Sequence, residues 1–280
     1  MADDALRELL SPQSHKGKGY VWQLCVVDGS EEETLAQIAA LLAERLVNYL
    51  CRHRPDGTQL WADRRAGVRA LDDKDRQRLV VFLEPHLGRP NGAEAEHDER
   101  AEGAISEFLW YELISHRPEV GRKIVRIEGP GFAVTDPGGD GLVVYRSDAG
   151  LLAFRLWEIK KHNGKGAVTQ TVGNAHRQLN TRALSYLARY TAVSEQLSND
   201  PDLQTFYATL VDKWQNEDAA VGAGVAVATS CNGDEADCFG GLPNRFPHLK
   251  NGDRLEGMLN AIGDYSAFVK KVKDEVWSGL

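Results

Sequence analysis

The pattern of apolar and polar positions along the chain predicts an α/β protein in which strands and helices mix. Tyr20 to Val27 has the apolar content of a strand. A helix is predicted from about Glu31 to Arg52, because its apolar side chains recur at helical spacing. Val221 to Thr229 is a continuous run of small apolar residues, which is typical of a strand that is buried on both faces.

The same patterns divide most of the remaining chain. Residues 72–87 fit either a helix or a strand, because the run LVVFL leaves the choice open. Residues 11–19, 53–70 and 230–253 are predicted to be loops or irregular segments. Further helices are predicted at about residues 100–116, 167–197, 202–216 and 254–277, and further strands at 123–128 and 131–135.

The stretch GGDGLVVYRSDAGLLAFRLWEIK, residues 138–160, predicts an antiparallel hairpin. If Arg146 to Gly150 form its loop, Tyr145 pairs with Leu151 and Asp140 lies opposite Leu156. Side chains alternate along a strand and paired residues share a face. The hairpin therefore brings three charged residues to one face: Asp140, Glu158 and Lys160.

In this register Asp140 is a diagonal neighbour of Glu158, with Cβ atoms about 7–8 Å apart. That separation lets two carboxylates meet on one metal ion, which offsets the cost of burying them. The alternative is a strand that simply emerges into water at Trp157. A second acid-x-Lys sequence, Asp72-Asp73-Lys74, lies in a polar stretch with no strand before it.

A third carboxylate is predicted to lie in an apolar environment. The helix at about residues 100–116 has apolar side chains almost all round, so we expect it to be buried. Glu107 projects between Tyr111 and Ile114 on that helix, and a carboxylate there needs a partner. The partner is either a metal ion or a hydrogen-bonding group of the core.

Asp140, followed by Glu158-Ile159-Lys160 on the next strand, resembles the site of the PD-(D/E)xK nuclease superfamily. A glutamate on a preceding helix often completes that site, and Glu107 fits this position. The resemblance covers about residues 100–190 and implies a restriction-endonuclease-like α/β core, a mixed sheet flanked by helices. The Gln-x-x-x-Tyr sequence of the RecB-like branch is absent. The order of an N-terminal region, this core and a GVAVATS strand is similar to the nuclease subunit of Hachiman-type antiphage defence.

The resemblance implies a Mg²⁺-dependent endonuclease, or one that uses Mn²⁺ in its place, acting on DNA. Glu107, Asp140 and Glu158 would be the metal ligands, and Lys160 would hold or activate the attacking water. The sugar-phosphate backbone would be bound by Lys161, His162, Lys165, Arg177 and Arg182. The histidines His162 and His176 have the alternative of being polar surface or turn residues. RNA stays open as a substrate, and a non-catalytic binding or scaffold subunit with the same fold is the rival function.

The charge distribution agrees with a polyanionic partner. The protein has a net charge of −8, but seven Lys or Arg residues stand against one acid, Glu158, between Arg155 and Tyr190. A basic region of this kind is what a nucleic-acid-binding surface requires. An ordinary solvated helix face is the alternative explanation.

The polar, acidic stretch at residues 88–104 contains Gly and Pro and indicates a domain boundary. We therefore divide the chain into an N-terminal accessory region, residues 1–92, and a nuclease domain, residues 93–280. The resemblance to the Hachiman nuclease subunit implies that the accessory region docks a helicase partner.

The remaining sequence features argue against several other classes of protein. The spacing of Cys25, Cys51, Cys231 and Cys238 fits no paired metal site, so we expect free thiols in a reducing cytoplasm. The acidic start MADDALRELL predicts no signal peptide, and no apolar run approaches the roughly 18 residues of a membrane span. The sequence also lacks the phosphate loop of nucleotide hydrolases and the Gly-x-Ser-x-Gly nucleophile elbow.

Overall fold

One sheet of seven strands runs through the part of the chain that the computed structural model describes, residues 5–52, 54–89, 95–131, 140–162, 164, 166–194, 200–231 and 236–280. The strands are β1 (Gln13–Gly17), β2 (Tyr20–Val27), β3 (Arg122–Glu128), β4 (Gly141–Ser147), β5 (Leu152–Lys161), β6 (Val221–Thr229) and β7 (Leu255–Ile262). The helices are α1 (Ala5–Leu10), α2 (Glu32–Leu50), α3 (Pro55–Arg65), α4 (Asp73–Leu87), α5 (Ala95–Ser115), α6 (Val168–Ser194), α7 (Pro201–Ala208), α8 (Leu210–Gln215), α9 (Leu242–Arg245) and α10 (Tyr265–Ser278).

The strand order across the sheet is β1-β2-β7-β6-β5-β4-β3. The four central strands β2, β7, β6 and β5 are parallel to one another, and antiparallel hairpins close both edges. The predicted α/β class is therefore confirmed, with a mixed sheet. In open α/β sheets, ligands usually bind beyond the carboxyl ends of the parallel strands.

Helices cover both faces of the sheet and form two separate cores. On the α5 face, helices α2, α4, α5 and α10 pack over side chains such as Trp157 and Ile159. On the α6 face, helices α6, α7 and α8 pack over side chains such as Phe154 and Leu156. Alternate residues of β5 thus belong to opposite cores, which fixes the face that each functional side chain can reach.

Most predicted elements are confirmed, and residues 72–87 are helical as α4. The predicted helix at 254–277 is wrong in its first half, because Leu255–Ile262 is strand β7 and a helix begins only at Tyr265. All three segments predicted to lack regular structure contain some of it: β1 lies in 11–19, α3 in 53–70 and the short helix α9 in 230–253. The predicted strand at 131–135 lies, except for Gly131, outside the described residues.

The N-terminal region contributes strands to the common sheet. Strand β2 pairs in parallel with β7 along its length, from Val21 beside Glu256 to Val27 beside Ile262. The division of the chain at residue 92 stays a prediction, and any cleavage there would leave the two parts joined through β2 and β7. None of the four cysteines forms a disulfide within the described residues. None of the helices within the described ranges has the length and apolar character that crossing a bilayer requires.

Candidate active site

The hairpin of β4 and β5 carries the predicted site, in a register that differs from the prediction. Gly141 pairs with Trp157, so continuing the register by one residue sets Asp140 opposite Glu158. The predicted pairing of Asp140 with Leu156 is wrong by two residues. Because the side-chain period of a strand is two, this shift leaves Asp140 on the same face as Glu158.

The turn of the hairpin explains the register. The Gly150 N–H donates to the Ser147 carbonyl at 2.8 Å, and the Ser147 N–H donates to the Leu151 carbonyl at 2.9 Å. Gly150 has φ 80°, a left-handed conformation that suits glycine and is common in three-residue hairpin loops. The bond between Ser147 and Leu151 therefore closes the hairpin, and its three-residue loop, residues 148–150, is shorter than predicted.

Asp140, Glu158 and Lys160 meet on the α6 face, near the carboxyl end of β5. Lys160 Nζ lies 2.6 Å from Glu158 Oε1 and 3.9 Å from Asp140 Oδ2. The Ile159 N–H donates to Asp140 Oδ2 at 2.6 Å and so ties the start of β4 to the end of β5. Glu158 and Trp157 are both fully buried, so the alternative of a strand emerging into water at Trp157 is wrong.

The electrostatics of this cluster favour a further cation. Burial, followed by the Asp140 charge, raises the pKa of Glu158 to about 8, although Lys160 acts in the opposite direction. Burial also raises the pKa of Asp140. Burial would lower the pKa of Lys160, but the two carboxylates raise it. One ammonium thus faces two buried carboxylates, and Glu158 Oε2 receives no hydrogen bond from the described residues.

Glu107 approaches the same cluster from α5. Close packing of α5 depends on Gly141, because a Cβ at that position would lie 2.1 Å from the buried indole of Trp110. Burial raises the pKa of Glu107 well above its ordinary value, and the Asp140 charge raises it further. The carboxyl groups of Glu107, Asp140 and Glu158 therefore act on one another electrostatically, as clustered carboxylates do.

A divalent cation fits the Asp140–Glu158 pair. Mg²⁺ is usually held by one or two carboxylates while it keeps several water ligands. Within the described ranges, no three His, Cys, Asp or Glu side chains already surround a common point. The metal-ligand roles of these carboxylates and the catalytic role of Lys160 stay predictions.

Helix α6 carries Arg182, which the sequence analysis identified, and three further residues that it did not identify as part of the site. Four side chains recur every fourth position along one side of it: Gln178, Arg182, Tyr186 and Tyr190. Tyr186 is close enough to Lys160 to raise its pKa. Gln178 Nε2 donates to the Tyr186 hydroxyl at 3.1 Å. A search for Gln and Tyr two helical turns apart, rather than one, would have found this pair.

Two of the residues predicted to bind nucleic acid are exposed on α6. Arg177 and Arg182 lie there, on a helix that carries three arginines and no acidic residue. Arg182 is close enough to Glu158 to lower its pKa. Lys165 lies outside the described residues. Of the residues predicted to bind nucleic acid, Arg182 is thus linked to the carboxylate cluster.

Lys161 and His162 have other surroundings. Lys161 forms an ion pair with Glu102 of α5, on the face opposite to Lys160. His162 is buried, with Nδ1 2.8 Å from the Thr171 hydroxyl. His176 is also buried, and burial is the main cause that lowers its pKa to about 4. The alternative of surface histidines is therefore wrong for both.

Comparison with known proteins adds no relative: no family model, curated protein or solved structure matches this chain. The resemblance to PD-(D/E)xK nucleases therefore rests on the residues of this chain alone. What these residues do together is inferred below from their geometry and their chemistry.

Proposed function

We propose that this protein is a metal-dependent nuclease that hydrolyses phosphodiester bonds, with DNA as its substrate. The observation that carries the proposal is the cluster of Asp140, Glu158 and Lys160 near the carboxyl end of β5. Its most buried carboxylate, Glu158, has a pKa of about 8. A buried carboxylate of this kind is costly unless a cation or a proton neutralises it.

Asp140 and Glu158 would hold the metal, Mg²⁺ or Mn²⁺, with Glu107 as a candidate third ligand. A bound divalent metal would lower the pKa of a water ligand and neutralise charge on the phosphate. The restriction-endonuclease-like core belongs to this proposal as well, since the mixed sheet with helices on both faces is compatible with it.

The chain's own residues would do the rest. Lys160 Nζ, 2.6 Å from Glu158 Oε1, would orient the attacking water and stabilise negative charge as it develops on the phosphate. Tyr186 would help to fix Lys160. Arg182, next to the carboxylate cluster, would bind the phosphate that enters the site.

The substrate would be held through its backbone rather than its bases. Exposed arginines on the acid-free helix α6 suit phosphate contacts, which position a nucleic acid without reading its sequence. Such contacts fit DNA and RNA alike, so RNA stays the alternative substrate. A helicase partner and a role in antiphage defence are implied by the resemblance to Hachiman nuclease subunits, and they are proposed on that ground alone.

A cleavage assay tests the proposed function. Purified protein is incubated with duplex DNA, single-stranded DNA and RNA, in MgCl₂, in MnCl₂ and in EDTA. We expect cleavage of at least one DNA form with either metal and none in EDTA. Binding of DNA without cleavage in any metal would instead support the rival function, a non-catalytic binding subunit.

Replacing Arg177 and Arg182 together by Ala is expected to weaken DNA binding to a similar degree for all sequences. The salt dependence of the binding constant should also flatten, with a slope smaller by about 2 if each arginine neutralises one phosphate. Titrations in EDTA at several salt concentrations measure both quantities.

The matched control replaces Arg64 and Lys74 by Ala, since both are exposed on helices of the α5 face, away from α6. That variant should bind as wild type does. An unchanged affinity and salt slope in the Arg177/Arg182 variant would assign these two arginines to an ordinary solvated helix face.

A further inference from the structure

Lys161, the last residue of β5, points away from the carboxylate cluster. Successive strand residues face opposite sides, so Lys160 reaches the cluster while Lys161 reaches α5. There its ammonium forms an ion pair with Glu102, and the two side chains are only 21% and 10% exposed. A phosphate contact by Lys161 would require this largely buried pair to break.

Glu102 is the centre of a connected group of contacts between α5, β5 and the start of α10. The Ser266 hydroxyl donates to Glu102 Oε1 at 2.5 Å. The Tyr265 hydroxyl donates to the Glu102 carbonyl at 3.2 Å and lies 2.7 Å from the Ser106 hydroxyl. These contacts therefore hold this turn of α5 at the end of β5, next to Lys161.

Glu107 lies on α5 between two such points of attachment. Five residues separate it from Glu102, a distance of about 7.5 Å along the helix axis. On its other side, Trp110 packs against Gly141, the residue that follows Asp140. The position of the Glu107 carboxyl relative to Asp140 and Glu158 thus depends on how α5 is held at Glu102 and at Trp110.

We propose that Lys161 and Glu102 are positioning residues, which hold α5 against β5 so that Glu107 faces the Asp140–Glu158 pair. This inference rests on the proposed metal-dependent nuclease function, and it replaces the prediction that Lys161 binds nucleic acid. One dipeptide, Lys160-Lys161, then serves the site from both faces of the sheet. Lys160 acts at the carboxylate cluster, and Lys161 holds α5, the helix from which Glu107 approaches that cluster.

The test replaces Lys161 by Met and Glu102 by Gln, each of which removes one charge and keeps a similar shape. We expect each variant to need about tenfold more Mg²⁺ than wild type for half-maximal cleavage, as loss of groups that orient metal ligands typically does. The Mg²⁺-dependent rise in melting temperature should move to higher concentration by the same factor. DNA affinity in EDTA should not change.

A double-mutant cycle separates positioning from a general loss of stability. In a Glu107→Gln background, Lys161→Met should cause no further change in the Mg²⁺ midpoint, because residues that act through one another are not additive. Lys161→Arg keeps the charge and should retain a midpoint close to wild type. Glu275→Gln is the control, since it removes a pair between α10 and Arg65 of α3, away from the cluster.

Three results would overturn the inference: an unchanged Mg²⁺ midpoint in both variants, additive effects in the Glu107→Gln background, or weaker DNA binding in EDTA with a flatter salt slope. If Lys161→Met fails to fold, Ser266→Ala removes a single hydrogen bond to Glu102 and must shift the midpoint in the same direction. A wild-type protein that neither cleaves nor shows a Mg²⁺-dependent melting shift would overturn the proposed function itself. If wild type responds to Mg²⁺ but the variants show no shift in the Mg²⁺ midpoint, only the positioning role is overturned.

Discussion

Replacing Glu158 by Gln is expected to abolish Mg²⁺-dependent cleavage while leaving the metal-free protein as stable as wild type, or more stable. Glutamine keeps the shape of the side chain and removes a charge that burial and Asp140 both disfavour. Lys160, which loses its partner at 2.6 Å, is 31% exposed and keeps Asp140 at 3.9 Å. Like charges that a functional site holds close together repel one another, so they often lower the stability of the protein.

The stability of Glu158→Gln relative to wild type should change with pH in a direction that the pKa of Glu158 predicts. The pKa of Glu158 rises from 4.5 to about 8 on folding, so the folded state binds this proton more tightly than the unfolded state does. The contribution of Glu158 to the free energy of unfolding is fully present below pH 4.5 and is lost as the pH rises towards about 8. The stability of Glu158→Gln relative to wild type should therefore increase over this range, as measured by urea unfolding in EDTA.

Added Mg²⁺ should raise the melting temperature of wild type more than that of the variant, because a ligand stabilises the state that it binds. Asp148→Asn, an exposed acid in the turn of the same hairpin, is the matched control and should behave as wild type. If Glu158 is only a buried partner for Lys160, the variant should lose about 3–5 kcal/mol of stability with or without metal. That outcome, with no Mg²⁺ effect on either protein, would refute the proposed site.

The arrangement of the hairpin was predictable because it depends on local chain geometry. Strand alternation alone places Asp140, Glu158 and Lys160 on one face, and an error of two residues in the register does not change that face. The turn itself was less predictable. Both the predicted and the observed loop contain Gly150, and only its left-handed conformation selects the shorter one.

Strand β7 shows where periodicity misleads. Leu255, Met258, Leu259 and Ile262 recur at the spacing of an amphipathic helix, which is why a helix was predicted. The segment instead lies between β2 and β6, where all of its residues are buried. A strand covered on both faces carries no alternating pattern, and tertiary packing then overrides the local signal. Gly257 supports this packing, because the ring of Phe239 occupies the space of its missing side chain.

Contacts between residues far apart in the chain were beyond sequence reasoning. The Lys161–Glu102 pair joins residues 59 positions apart, and neither residue carries a local signal that names the other. The basic region from Arg155 to Tyr190 is visible in the sequence as a concentration of positive charge, but its role in binding stays a prediction. Its described members nevertheless divide between the two faces of the sheet. Arg155 and Lys161 point towards the α5 face. Lys160 points towards the α6 face, and helix α6 itself carries Arg177, Arg182 and Arg189.

Replacing Glu256 by Gln is expected to destabilise the protein by about 3–5 kcal/mol, the usual effect of leaving a buried charge without its partner. Glu256 lies near the start of β7, and its two carboxylate oxygens contact Arg117 and Arg155. The three side chains are no more than 6% exposed. Arg117 keeps Glu119 as a partner, but Arg155 keeps only neutral contacts within the described residues, the Asp253 carbonyl at 2.6 Å and the ring of Tyr145. Its charge would then be buried beside neutral groups.

The comparison with Glu158 makes this prediction specific, because two buried glutamates of one sheet should respond to the same substitution in opposite ways. Glu256 is surrounded by arginines and should be needed for stability, whereas Glu158 faces other carboxylates and should not be. Urea unfolding in EDTA measures both variants against Glu275→Gln, whose half-exposed pair with Arg65 should contribute about 1 kcal/mol or less. Proteins typically have a free energy of unfolding of about 5–15 kcal/mol. A loss of about 3–5 kcal/mol would leave the Glu256 variant folded over most of this range, so it should still cleave DNA at low temperature. Equal losses of stability in the Glu158 and Glu256 variants would mean that both carboxylates are structural, and that the cluster near the end of β5 is not a metal site.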